Sequence, residues 1–128
     1  MTDKVLQWID DICLEFPQLN KEITKQYILN PMSKIAFFEE DGIEKGVVCF
    51  VETISFLGKK EFLELFFYLK PQYRNLKTLN NLLKFFEDLA KDCDIIKIGA
   101  NILFKDDKFI KFLERKGYKH DTLYKQLR

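Results

Sequence analysis

Three cysteines and a single histidine are the side chains best suited to metal or nucleophilic chemistry, and their spacing favours neither. Cys13, Cys49 and Cys93 are far apart with no Cys-x-x-Cys pair, in apolar contexts such as Ile12-Cys13-Leu14 and Val48-Cys49-Phe50. That pattern reads as reduced thiols inside a core, which fits a cytosolic setting. His120 stands alone near the C-terminal end and reads as a surface residue or, less simply, as a proton carrier.

The basic residues carry a clearer signal. Net charge is +1, yet residues 1–68 hold 7 Lys/Arg against 12 Asp/Glu, and residues 69–128 hold 14 against 8. A basic second half suits a phosphate-bearing ligand, or it solvates the outer faces of two helices. The balanced total gives no general drive toward nucleic acid. Lysines and aromatics do interleave from Lys105 to Tyr118, but on a helix that stripe is a core face beside a solvated face. Nucleic acid is therefore not an expected partner.

Periodicity supplies the elements that must position these groups. Thr2 or Asp3 caps a first helix with Val5, Leu6, Ile9, Ile12, Cys13 and Phe16 inward, ending before Pro17. Asn20 caps a short second helix, with Ile23, Tyr27 and Ile28 inward and a stop near Asn30-Pro31. Three strands follow: Ile35–Phe38, Lys45–Phe56 and Glu61–Lys70, with turns at Asp41-Gly42 and Gly58. After the Pro71-Gln72-Tyr73-Arg74 turn the period changes to that of a helix. Leu76, Leu79, Leu82, Leu83, Phe86 and Ala90 then form one stripe, capped by Asn75 or Thr78.

Asp94–Ala100 reads as a strand buried on both faces. Asp106-Asp107 opens a last helix with Phe109, Ile110, Phe112 and Leu113 inward and Gly117 as its stop, and Tyr118–Leu127 is a terminal strand. This order predicts an α+β fold: a mixed, mostly antiparallel central sheet flanked by about four helices. The 128 residues fit one domain, residues 1–128, and their 13 Phe, 5 Tyr and 1 Trp predict a core filled mainly by rings. The first residues are acidic and amphipathic, and no apolar run is long enough to span a bilayer, so a soluble, cytoplasmic protein without membrane partners is expected.

From Lys34 to Leu127 the chain resembles the GNAT N-acetyltransferase superfamily. Leu65-Phe66-Phe67-Tyr68-Leu69-Lys70-Pro71-Gln72-Tyr73-Arg74 looks like that family's splayed strand and the start of its motif A. Leu82–Ala90 is similar to the helix that follows. Phe112-Leu113-Glu114-Arg115-Lys116-Gly117-Tyr118 and Leu123-Tyr124-Lys125-Gln126-Leu127 resemble its closing segments. The paired aromatics of the strand also resemble GNAT-like proteins of bacteriophages. Relatives open with a strand before the first helix, whereas this sequence begins with the helix.

The resemblance implies transfer of an acyl group from acetyl-CoA or another acyl-CoA to an amine, on a small molecule or a protein. The pyrophosphate would meet the free N–H groups at a helix N-terminus. That role falls to Tyr68, Leu69, Arg74, Asn75, Lys77, Thr78 and Leu79. In the family's loop Lys77 and Leu79 stand where small residues belong, so Lys77 would offer an ammonium in place of backbone contacts. Leu79 would crowd the ligand or turn into the core. Glu64 lies where many relatives carry the base, and is otherwise a solvent-facing charge on an alternating strand. The usual thiolate-protonating tyrosine aligns with Leu113, which leaves Tyr124 or Tyr118 as the acid. The Asn that often precedes the last helix aligns with Asp106. The alternative is a GNAT-like fold that has lost catalysis and serves as a binding or structural module. Strand pairing among relatives implies a possible homodimer.

Overall fold

The computed structural model describes residues 2–99, 107–119, 125 and 127. Two helices come first: α1, Thr2–Glu15, and α2, Lys21–Ile28. Asn20 caps α2 by accepting the Ile23 N–H at 3.0 Å. Strands β1, Lys34–Glu40, β2, Ile43–Ile54, and β3, Lys60–Leu69, form an antiparallel meander. A single 3-10 turn at Pro71–Tyr73 leads into α3, Leu76–Leu89. Strand β4, Ile95–Lys97, then pairs parallel to β3, and α4 spans Asp107–Arg115. The strand order is β1-β2-β3-β4.

The sheet is the middle layer of three. On one face Phe38, Val48, Phe50, Phe62, Phe67 and Leu69 pack with the inward residues of α3 and α4. On the other, Val47, Cys49, Phe66 and Tyr68 pack under Trp8, Ile9 and Ile12 of α1. The ring-filled core is present: Phe50 stacks on Phe62 at 4.6 Å, and Phe67 meets Phe86 at 5.3 Å and Phe109 at 5.7 Å. Gly117, at φ +95, ends α4 in a Schellman arrangement. There Tyr118 N–H donates to Leu113 C=O and Gly117 N–H to Glu114 C=O.

Four expectations are corrected. Ile23 and Tyr27 are exposed, because α2 is short and packs through Ile28. Leu76 also points to solvent at the first turn of α3. Strand β2 stops at Ile54, and Phe56 is fully exposed in the turn. Strand β4 is three residues long with Ile95 part-exposed, rather than buried on both faces. The terminal strand of Tyr118–Leu127, with His120 and Tyr124, and the helix-start residue Asp106 lie outside the described residues, Tyr118, Lys119, Lys125 and Leu127 excepted.

Two irregularities shape β3. Cys49 pairs with Phe66 and Phe50 with Glu64, so Leu65 is an extra residue that bends β3 at this point. Near its end β2 comes very close: a Cβ on Gly46 would sit 2.5 Å from the Tyr68 carbonyl oxygen. Gly46→Ala should therefore destabilise the fold by about 1–3 kcal/mol, because a backbone atom rather than a flexible side chain must yield. Urea unfolding of the two proteins reads this directly.

Candidate functional site

The bulge at Leu65 sits where β3 leaves β4. The two strands pair only at Glu61–Ile95, Phe62–Ile96 and Leu63–Lys97, and then part. The next side chain on β3 is Glu64, 3% exposed. Its Oε2 accepts the Gly99 N–H at 3.0 Å, so the carboxyl bridges the opening where the backbone ladder fails. Burial pushes its pKa up to about 8, against the smaller opposing pull of the Gly99 hydrogen bond. Glu64 is thus not the solvent-facing charge that strand alternation permits. Same-face alternation with Phe62 puts it on the core side, and the bulge keeps it at the mouth of the split.

Among the described residues, apolar side chains line the split beyond Glu64. Phe67, Leu79, Leu82, Leu83, Phe86 and Ile98, with three residues of α4, surround a hollow of about 10 Å³, barely room for one water. Leu79 is among the walls, half-buried against the core; Leu76 is not. Leu113 is buried in the same cluster and has no proton to give.

The remaining predicted residues divide by face. Asn75 is the α3 cap, and its Oδ1 accepts the Thr78 N–H at 2.9 Å. Thr78 itself is buried, while Lys77 is exposed beside it. The Leu76 and Lys77 N–H groups have no partner among the described residues, so two donors of the helix start remain open to an anion. Leu69 is fully buried in the core. Tyr68 and Arg74 lie on the α1 side instead, where both bind Glu15.

That cluster was missed in the sequence. Glu15 accepts the Tyr68 hydroxyl at 2.6 Å and is held bidentately by Arg74, at 2.6 and 3.0 Å. Arg74 Nε also donates to the Leu69 carbonyl at 2.8 Å, and its guanidinium lies over the Tyr68 ring. Burial would raise the Glu15 pKa, but the hydrogen bonds from Arg74 and Tyr68 outweigh it and hold the carboxyl below its ordinary value. Burial, then the hydrogen bond to Glu15, push Tyr68 well above its ordinary value. Arg74 therefore ties α1 to the β3–α3 junction. The signal was in α1: Trp8, Ile12 and Glu15 share one inward stripe. Tyr118 is similarly occupied, donating to Glu87 at 3.1 Å. Tyr124 lies outside the described residues. Cys49 is buried and Cys13 and Cys93 half-buried, all as free thiols. Among the described residues no Cys/His/Asp/Glu group is arranged to hold a metal, and no helix is long and apolar enough to cross a membrane.

A mixed sheet with a bulged strand parting from its parallel neighbour, and a helix starting at the open end, is the architecture of the GNAT-type acetyltransferases. Solved structures of such proteins match it. One, from Pyrococcus furiosus and assigned by name to the acetyl transferases, superposes with a TM-score of 0.67 at 20% identity, covering 89% of this chain and 77% of that one. The ribosomal-protein-alanine N-acetyltransferase of Brucella melitensis biovar Abortus 2308 gives 0.62 at 15% identity, covering 86% and 81%. An aminoglycoside acetyltransferase from an uncultured soil metagenomic sample gives 0.60 at 13%, covering 86% and 74%. No protein-family model and no curated protein matches the chain. At these identities the likeness is one of fold, and the fold is that of a GNAT-type acyl-CoA N-acyltransferase.

Proposed function

We propose that this protein is an N-acyltransferase that moves an acetyl or other acyl group from acyl-CoA to an amine, with Glu64 as the proton acceptor. The observation that carries the reading is Glu64 itself: a carboxyl buried at the parting of β3 and β4 and raised to about 8. An amine nucleophile is an ammonium ion at neutral pH and must lose a proton before it attacks. A carboxylate of raised basicity at the split suits that step better than an ordinary one. The acceptor is an amine-bearing small molecule or protein, and the setting is the cytoplasm.

The residues fit the coenzyme unevenly. The open N–H groups of Leu76 and Lys77, with the Lys77 ammonium beside them, suit a pyrophosphate. Asn75, Thr78, Tyr68, Leu69 and Arg74 support that helix start and strand rather than reach a ligand. The hollow of about 10 Å³ beside β3 is smaller than a thioester arm, so its lining side chains, Leu79 among them, must give way to admit one. When bound, acyl-CoA supplies the activated acyl group; the chain's own part is to hold the phosphates and to take the proton at Glu64. The thiolate's proton donor is assigned to Tyr124.

Titration calorimetry of the purified chain with acetyl-CoA tests this. Saturable binding in the range of about 1 μM–1 mM is expected. An absence of both heat and thermal shift at millimolar ligand overturns it. The small size of the hollow lined by the described residues favours a second reading, a GNAT-fold binding or structural module without catalysis, of the kind a phage could encode. Robust acetylation of any amine by the purified protein would remove that reading.

A further inference from the structure

The chain turns from β3 into α3 without a glycine, and side chains hold that turn from both faces of the sheet. Arg74 is its pivot. At φ −82° and ψ 68° it centres an inverse γ-turn, in which the Asn75 N–H donates to the Tyr73 carbonyl at 2.9 Å. Asn75 follows as the cap of α3, so this bend sets where the Leu76 and Lys77 N–H groups point. On the α1 side the Arg74 guanidinium is fixed by Glu15, by the Leu69 carbonyl and by the face of the Tyr68 ring. On the α3 side the preceding residue, Tyr73, is held in a matching way. Lys45 is the extra residue of a bulge in β2, and its ammonium lies 5.0 Å from the centre of the Tyr73 ring. One oxygen of Glu40 anchors that ammonium at 3.2 Å, and the other accepts the Asn81 amide of α3 at 2.7 Å. The four charged side chains are 14–27% exposed, so each pair keeps one geometry where a fully exposed pair would sample many.

We infer that Glu15 and Glu40 are positioning residues for the phosphate-binding start of α3. Glu15 acts through Arg74, and Glu40 through Lys45 and Tyr73, to aim the open N–H pair at a pyrophosphate. This role rests on the acyl-CoA reading above. Neither carboxylate touches the ligand. Charge alone therefore predicts the opposite sign: removing Glu15 deletes a negative charge and frees a guanidinium, and both changes favour a bound anion. Positioning predicts a loss, because a misplacement of about 1 Å costs up to about a hundredfold at a preorganised site.

Titration calorimetry with CoA reads the sign. Glu15→Gln and Glu40→Gln should each weaken CoA binding about tenfold. Glu39→Gln removes the same charge from an exposed position of β1 and should leave the affinity unchanged. Arg74→Lys keeps the cation but loses the Nε donor and the two-pronged grip, so it should match Glu15→Gln, and the double variant should bind no worse than either. In acyl transfer the KM for acyl-CoA should rise while kcat and the KM for the amine hold. Far-UV dichroism checks that each variant is folded; if Glu15→Gln is not, Glu40→Gln and Arg74→Lys carry the test. Wild-type protein that gives no heat with CoA removes the coenzyme reading and this role with it. Wild-type binding that the Glu15 and Glu40 variants leave unchanged overturns the role alone. Tighter binding by Glu15→Gln overturns it too, and makes Arg74 a phosphate ligand that Glu15 withholds.

Discussion

Glu64→Gln is expected to stabilise the protein above pH 8 and to change it little near pH 4. The folded protein holds this carboxyl's proton up to about pH 8, whereas the unfolded chain releases it near the ordinary value of 4.5. Between those two values the folded state binds the extra proton, so stability falls as pH rises. Below 4.5 both states are protonated and there is no penalty; above about 8 the penalty is complete. A shift of this size corresponds to about 3–5 kcal/mol. Gln preserves the size and the acceptor for Gly99 N–H while removing the charge, so its unfolding free energy should lack this slope. Urea unfolding at pH 4, 7 and 9 measures the difference. Parallel pH curves for the two proteins would mean that Glu64 ionises at the same ordinary value in the folded and unfolded protein. If Glu64 is also the base, the wild-type acylation rate rises through about pH 8, and the variant loses about a hundredfold or more. A stability crossover without that loss would leave Glu64 as a bridge between strands and nothing more.

Much of this arrangement was legible from residue patterns, for local reasons. Asn20 and Asn75 announce their helices because a short side-chain acceptor before an apolar period satisfies an orphan N–H. The meander follows from turn residues with positive φ at Asp41, Gly42 and Gly58. The Glu64 environment was not legible in the same way. Strand alternation says that a charge between apolar neighbours faces water, but it cannot locate the bulge at Leu65 that puts both Leu65 and Phe66 on the α1 side. Nor can it see that β4 ends its pairing at Lys97 and leaves a gap for the carboxyl. Arg74 illustrates the opposite failure. Its position matches a ligand-binding loop, but its fate is decided by Glu15, 59 residues earlier in the chain. Long-range pairing of that kind leaves only a faint trace, here a carboxylate on the inward stripe of α1. Ile23 and Tyr27 fit a helical period equally well inward or outward, and only the shortness of α2 decided between them.

Leu79→Ala is expected to lower stability and raise coenzyme affinity in the same protein. Leu79 lines the hollow between β3, α3 and Ile98 and is half-buried, so truncation should cost about 2–3 kcal/mol, the lower part of the range for core leucines. The space it vacates is the space an acyl-CoA arm needs. A ligand that must displace a packed side chain loses about 1–3 kcal/mol to the rearrangement, so removing the obstruction should tighten binding of CoA and acetyl-CoA at least about tenfold. Leu79→Met, which keeps volume, should change neither quantity by much, and so separates the effect of room from that of handling the site. Calorimetry with both ligands, beside urea unfolding, gives the two numbers independently. Tighter binding with reduced stability identifies Leu79 as a gate on a working coenzyme slot. Reduced stability with no heat at millimolar ligand means that the strands part here without ever admitting a coenzyme. In that case the buried Glu64 serves the scaffold, and the fold has been kept for binding rather than transfer.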